Sequence, residues 1–246
     1  SELKKIATSV EKKIVKELES LKENDFEKYQ EFFKTYGSHI KWGIYENYGM
    51  KKDLLQDLLI YNSINQDKMI SLKEYKEQMK EGQKVIYYAS GKSIESIKML
   101  PEIEKFRKDG INVLFLTNDI DEFALSMMGE YEKVSFKNIS EHDKEELNED
   151  EKSKLEVLEA ENKELLDNMK ESLAGKVDEV ILSNKLVESP VCISTKNGLS
   201  LNMERTLNEG PQGEQAKASK VLEINPNHEI FKTLNEIKAD KELVNK

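Results

Sequence analysis

The sequence predicts an α/β (α+β) fold in two modules: a helical lead-in plus a small αβα module with parallel strands, an acidic linker, then a mixed α/β C-terminal module. Three observations predict it. Apolar residues recur at spacings of three and four through the first eighty positions, the mark of one-sided helices. The pattern then changes to short β-branched and aromatic runs, which fit buried strands. A stretch at 140–153, Ser-Glu-His-Asp-Lys-Glu-Glu-Leu-Asn-Glu-Asp-Glu-Lys-Ser, is nearly all polar or acidic and divides the chain.

Each element has its own signal. Leu3, Ile6, Val10, Ile14, Leu18 and Leu21 form one helical stripe. Asn24-Asp25 offers an N-cap to a second helix with Phe26, Tyr29, Phe32, Phe33 and Tyr36, which Gly37 is expected to interrupt or end. Leu54, Leu55, Leu58 and Leu59 mark a third. Ser71-Leu72-Lys73-Glu74 has capping-box form and opens a fourth, ended by Gly82. Val85-Ile86-Tyr87-Tyr88-Ala89 and Val113-Leu114-Phe115-Leu116-Thr117 read as strands, joined by helix through Phe106 with a stop at Asp109-Gly110. That spacing makes a parallel βαβ unit. Asp119 and Asp121 begin a helix through Phe123, Leu125, Met127 and Met128, and Val134-Ser135-Phe136 closes the layer.

Past the acidic stretch, Leu155, Leu158, Leu165, Leu166, Met169 and Leu173 lie on a charged helix ended by Gly175. Val177 to Leu182 and Val191 to Thr195 read as a strand pair, and Asn197-Gly198 as a turn. Leu199 to Leu207 reads as a short amphipathic helix, Gly210-Pro211-Gln212-Gly213 as a loop and Val221 to Ile224 as a third strand. Asn225-Pro226-Asn227-His228 caps a last helix with Ile230, Phe231, Leu234 and Ile237.

Bulk properties narrow the function. Of 246 residues, 37% are apolar and 35% charged, which implies small modules with much exposed helix surface. A net charge of −10 argues against nucleic-acid binding, which needs a basic footprint. No stretch approaches the roughly 18 apolar residues of a membrane span. The N-terminus has no secretory apolar region, and Ser1-Glu2 reads as a cloning scar or a cut site. One cysteine, Cys192, forms no internal disulfide and fits a reducing, cytoplasmic setting.

Catalytic signals are missing. There is no G-x-x-x-x-G-K-[ST] or G-x-G-x-x-G phosphate loop. His39, His142 and His228 are far apart and lack metal-ligand spacing, so His228 reads as helix punctuation. Cys192 lies mid-strand as a buried small hydrophobe. Asp119 and Asp121 read as capping and dipole compensation. Hence no catalytic residue, cofactor or metal is assigned. Two apolar features invite binding: Phe123, Met127 and Met128 on one helix, and Leu199, Leu201, Met203 and Leu207 on another. Methionine suits adaptable surfaces, although core packing is the more ordinary explanation of a helix stripe.

Several strings resemble one family. Tyr61-Asn62-Ser63, Ser71-Leu72-Lys73-Glu74-Tyr75, Met79-Lys80-Glu81-Gly82-Gln83 and Val85-Ile86-Tyr87-Tyr88 come first. Val113-Leu114-Phe115-Leu116-Thr117 with Ile120-Asp121-Glu122-Phe123 follows. Then come Ser183-Asn184-Lys185-Leu186-Val187, Ser189-Pro190, Asn202-Met203-Glu204-Arg205 and Leu222-Glu223-Ile224-Asn225-Pro226-Asn227-His228. In order and spacing they resemble the heat-shock protein 90 chaperones, and the short acidic linker resembles the bacterial form.

That resemblance implies that 1–141 is the later part of the chaperone middle domain, with a helical segment at 1–82 and the αβα layer at 83–141. It makes 142–153 the linker and 154–246 a C-terminal domain lacking the final dimerisation helices. It places the ATP-binding domain, with its ATP and Mg, and the catalytic arginine loop outside this chain, so ATP-driven folding and the stress response belong to the full-length parent. It implies partly folded client proteins as partners, held at the two apolar features, with an aromatic at Phe123. Homodimerisation belongs to the parent and is expected to be weak or absent here. The competing reading is a structural scaffold or dimerisation linker, in which the same side chains are core. Burial of Met203 and Leu207 separates the two.

Overall fold

A computed structural model of the chain describes residues 2–142, 149–210, 215–238 and 240–244. The chain forms two compact units, Ser1–Ile97 with Gly110–Lys137, and Lys98–Asp109 with Asn138–Lys246.

In the first unit α1 (Glu2–Asn24) packs on α2 (Phe26–Glu46). The α1 stripe is covered only near its end, where Leu18 and Leu21 meet the core together with Val15, which lies outside the stripe; Leu3, Ile6, Val10 and Ile14 stay exposed. Asp25 caps α2 by accepting from the Lys28 amide at 3.1 Å. Gly37 does not end this helix. The Phe33 ring lies across it so closely that a Cβ would fall 2.8 Å from the ring, and only glycine leaves that space.

The chain continues through α3 (Lys52–Leu55) and a 3₁₀ turn (Gln56–Leu58) into β1 (Ile60–Ser63) and β2 (Gln66–Ser71), an antiparallel hairpin. The reading of 1–82 as helix throughout is therefore corrected. Ile60, Tyr61 and Ser63 are all buried, so β1 shows no alternation to betray it. Ser71 and Glu74 form the expected capping box of α4 (Leu72–Glu77), with bonds of 3.1 and 2.8 Å. After β3 (Val85–Ser90), the expected single helix is two, α5 (Ile94–Lys98) and α6 (Ile103–Asp109), separated around Pro101. There follow β4 (Leu114–Leu116), α7 (Asp121–Met128), β5 (Glu130–Tyr131) and β6 (Val134–Asn138).

The strands order as β2-β1-β4-β3-β6-β5. β3 and β4 are parallel, as expected, but β1 pairs antiparallel with β4 and β5 antiparallel with β6, so the sheet is mixed. Buried Tyr75 links its parts: its hydroxyl donates to the Asn112 carbonyl at 2.6 Å and accepts from the Tyr87 amide at 3.0 Å. Burial pushes that phenol up to about 12. Lys41 on α2 and Asp121 on α7 form a buried pair, Nζ to Oδ1 2.5 Å, with the ammonium 5.3 and 5.1 Å from the Phe33 and Tyr61 ring centres. Asp121 thus does more than cap.

The second unit holds α6 and α8 (Glu149–Glu161), α9 (Lys163–Ser172), β7 (Glu179–Leu182), β8 (Val191–Lys196), α10 (Leu201–Glu209), β9 (Ser219–Ile224), α11 (Glu229–Ile237) and α12 (Lys241–Val244). The charged helix expected after the linker is two, meeting at Asn162. Helix α8 starts inside the 142–153 linker, of which 143–148 lie outside the described residues. Strands β7 and β8 are not a pair: β9 lies between them, parallel to β7 and antiparallel to β8. β9 takes the centre because Val221, Glu223 and Ile224 bury both of its faces. Leu155, Leu165, Leu166, Val180, Leu182, Ile224 and Phe231 form the apolar core.

Glu223, wholly buried mid-strand, organises the other side. Its carboxylate meets His142 Nδ1 at 3.1 Å, Ser194 Oγ at 2.5 Å, Ser183 Oγ at 2.8 Å and Lys185 Nζ at 3.3 Å. An ionised carboxylate only accepts, so His142 presents Nδ1–H to it. Lys185 also donates to the Ile139 carbonyl at 3.2 Å, and backbone bonds of Thr195 to Ser140 and His142 seat this segment beside β8. Burial alone would raise Glu223. The His142 hydrogen bond, the Lys185 charge and the two serines outweigh it and pull the carboxyl down to about 2.

Two outcomes follow. Glu223 titrates near 4.5 when unfolded and near 2 when folded, so its ionised form stabilises the fold above about pH 4.5. That contribution, roughly 3 kcal/mol, is lost as pH falls toward 2. Glu102 acts oppositely, because burial raises its carboxyl and acid relieves it. Thermal midpoints between pH 5 and 2 should fall steeply in the parent chain and less in Glu223→Gln; equal slopes would contradict this. In denaturant melts, Lys41→Met alone should cost about 3–5 kcal/mol, and adding Asp121→Leu should restore most of it.

Candidate functional site

The two apolar features have different surroundings. On α7, Met127 is exposed, Phe123 is half-buried, and Met128 is 2% exposed within the core. Met128 therefore cannot contact a partner from the surface and leaves the expected set. Its side chain lies in the first unit's core, and Lys52 Nζ donates to its backbone carbonyl at 3.0 Å. Phe123 stands edge-on to Tyr45 at 5.8 Å, and Tyr45 edge-on to Trp42 at 5.6 Å. Gly49, at φ +72°, lets its loop lie on the Met127 carbonyl, where a Cβ would come within 2.3 Å. Trp42, Tyr48 and Met50 are exposed. Sequence reasoning missed this aromatic extension. Its available signal was Trp42 and Tyr45, three apart on α2 and off the buried Tyr29, Phe33, Lys41 stripe.

In the second unit, α10 contains no buried residue. Leu201 is exposed, and Leu199, Met203 and Leu207 are half-buried. Asn197 and Gly198, both at positive φ, make the turn that leads to it. Ser200 caps it, accepting from the Met203 amide at 3.0 Å. Polar tethers hold the rest. Glu204 accepts from the Ala218 amide and from Lys220 Nζ at 2.9 Å, and Asn208 exchanges two bonds with Ala216. Burial, the largest single effect on the Glu204 carboxyl, would raise it, but the Ala218 amide and Lys220 together outweigh burial and hold it below its ordinary value. Polar tethers thus share in positioning the helix, while its leucines and methionine stay partly in water. The expected loop after it, from Pro211 to Gly213, lies outside the described residues.

The remaining chemical candidates have structural partners. His228 N-caps α11, its Nδ1 accepting from the Ile230 amide at 3.1 Å. His39 lies 6.3 Å from the Tyr36 ring. Burial, with Glu102 and Glu223 nearby, pushes the Cys192 thiol well up, which makes it a poor nucleophile.

An open helix surface with apolar side chains on a mixed α/β frame is the form of site that holds other chains. The family model described as Hsp90 protein matches residues 1–245, and this chain belongs to that family. Among its relatives, the chaperone protein HtpG of Clostridium botulinum (strain Langeland) is 44% identical over 242 residues, 98% of this chain and 39% of that protein. HtpG of Bacillus subtilis is 42% identical over 242 residues, again 98% of this chain and 39% of that protein. HtpG of Clostridium acetobutylicum is 43% identical over 246 residues, 100% and 39%. The chain spans about 39% of the length of these relatives.

Removing the Ser200 hydroxyl costs a helix cap, typically about 1 kcal/mol. Ser200→Ala combined with Glu204→Ala should speed amide exchange across 203–209 at least tenfold while β7, β8 and β9 keep their protection. Unchanged exchange on α10 would show that apolar packing holds it.

Proposed function

We propose that this chain grips partly folded client proteins as part of a longer Hsp90-type chaperone. Its contact residues are Phe123 and Met127 in one unit and Leu199, Leu201, Met203 and Leu207 in the other. The observation that carries this reading is α10: an amphipathic helix held by polar tethers, with apolar side chains left partly in water. A client segment covering them gains roughly 25 cal/mol for each Å² of apolar surface removed from solvent. Each contact is weak, and several in parallel give hold without permanence. The net charge of −10 favours basic clients.

The chain itself supplies no catalytic group in this reading. ATP, Mg, ATP-driven folding, the stress response and stable homodimerisation are assigned to the longer protein, in a cytoplasmic setting. The domain division proposed is 1–141, 142–153 and 154–246, as the family resemblance implies.

The test is suppression of a client's thermal aggregation, followed by light scattering. Phe123→Ser with Met203→Ser should raise the amount needed for half-suppression several-fold, and ATP should not alter the parent chain's effect. A stably folded double variant that suppresses as well as the parent would refute the client reading.

A further inference from the structure

We infer that the first unit carries a binding site for a free α-amino acid, in a cleft between α2 and the hairpin side of the sheet. The cleft has a volume of about 470 Å³, within the usual range for small-molecule sites. It reaches Thr117 and Asn118 just past the end of β4, where parallel strands of α/β sheets ordinarily place their ligands.

Three deeply buried polar side chains line it: Lys41, Tyr61 and Asp121, each 2% exposed or less. Lys41 and Asp121 form the 2.5 Å pair. Asp121 Oδ2 accepts from the Asn118 amide, whereas Oδ1 has the Lys41 contact and no further hydrogen bond. The Tyr61 hydroxyl has no hydrogen-bond partner at all. A buried hydroxyl left unmet is rare in folded proteins and calls for something to meet it.

The charges select the ligand. Lys34 and Asp67 also line the cleft, which therefore carries two charges of each sign. A lone anion or cation would add an unbalanced charge beside the buried Lys41–Asp121 pair. A zwitterion would not. The ammonium and carboxylate of an α-amino acid lie roughly 3 Å apart, close to the Lys41–Asp121 separation. The ligand carboxylate would face Lys41, its ammonium would face Asp121, and the Tyr61 hydroxyl would donate to the carboxylate. Phe33, Met69 and Phe115 offer apolar wall for its side chain. This site is independent of client gripping, since none of its residues belongs to the proposed contact set.

Calorimetry on the whole 246-residue chain tests it, with L-glutamine as probe and acetate and methylammonium as single-charge controls. Saturable binding of L-glutamine is expected, at least tenfold tighter than either control, with a matching rise in thermal midpoint. Tyr61→Phe should weaken binding about tenfold and leave the unliganded midpoint unlowered, since its hydroxyl has no bond to lose. Should that variant misfold, Lys34→Gln at the exposed rim should still weaken binding several-fold. Absence of saturable binding, acetate binding as tightly as L-glutamine, or folded variants that bind like the parent would each overturn the proposal.

Discussion

Lys41 and Asp121 meet at 2.5 Å with almost no exposure to water. Two charges so placed are tolerated only when each is fully answered. Here the ammonium has the carboxylate and two aromatic faces, and the carboxylate has the ammonium and a backbone amide. The pair joins α2 to the first turn of α7. The join lies beside the side chains α7 carries: Phe123 against Tyr45, Met127 outward, Met128 inward. The same pair lines the cleft beside the hairpin. A hydrophobic pair of similar volume could hold the helices together, but it would set neither their register nor a polar cleft.

The second unit answers the same problem with one carboxylate. Glu223 lies on the central strand, and its partners come from the β8 strand, the turn after β7 and the first residue of the linker. Buried polar networks of this kind are costly when incomplete and selective when complete. The surface helix α10 follows the opposite rule. Its fixing bonds are exposed or partly exposed and none of its apolar side chains is fully buried, so polar atoms help to place a helix whose apolar atoms stay partly in water.

Several helix starts and the parallel β3–β4 pair were legible because they depend on local period and capping chemistry. Ser71 with Glu74, Asp25 before Phe26 and Asn197-Gly198 each act within a few residues. The β1–β2 hairpin was hidden because both faces of β1 are buried, which erases the alternation a half-exposed strand shows. The central place of β9 was hidden too, since strand order depends on contacts across some forty residues of chain. At the candidate surface, composition flagged two helices but could not rank neighbours in a helix. Met127 and Met128 are adjacent in sequence and opposite in fate, because a helix turns about 100° per residue. Trp42 and Tyr45 belong to the same surface as Phe123 only through folding, and no spacing rule joins position 42 to position 123.

Trp42 is the chain's single tryptophan, and it stands partly in water at the end of the Trp42–Tyr45–Phe123 row. Indole emission shifts to the blue when solvent leaves the ring. The molecule therefore carries a label-free optical reporter at one of its two apolar surfaces and none at the other, so occupancy of α7 can be followed by colour alone while α10 remains dark.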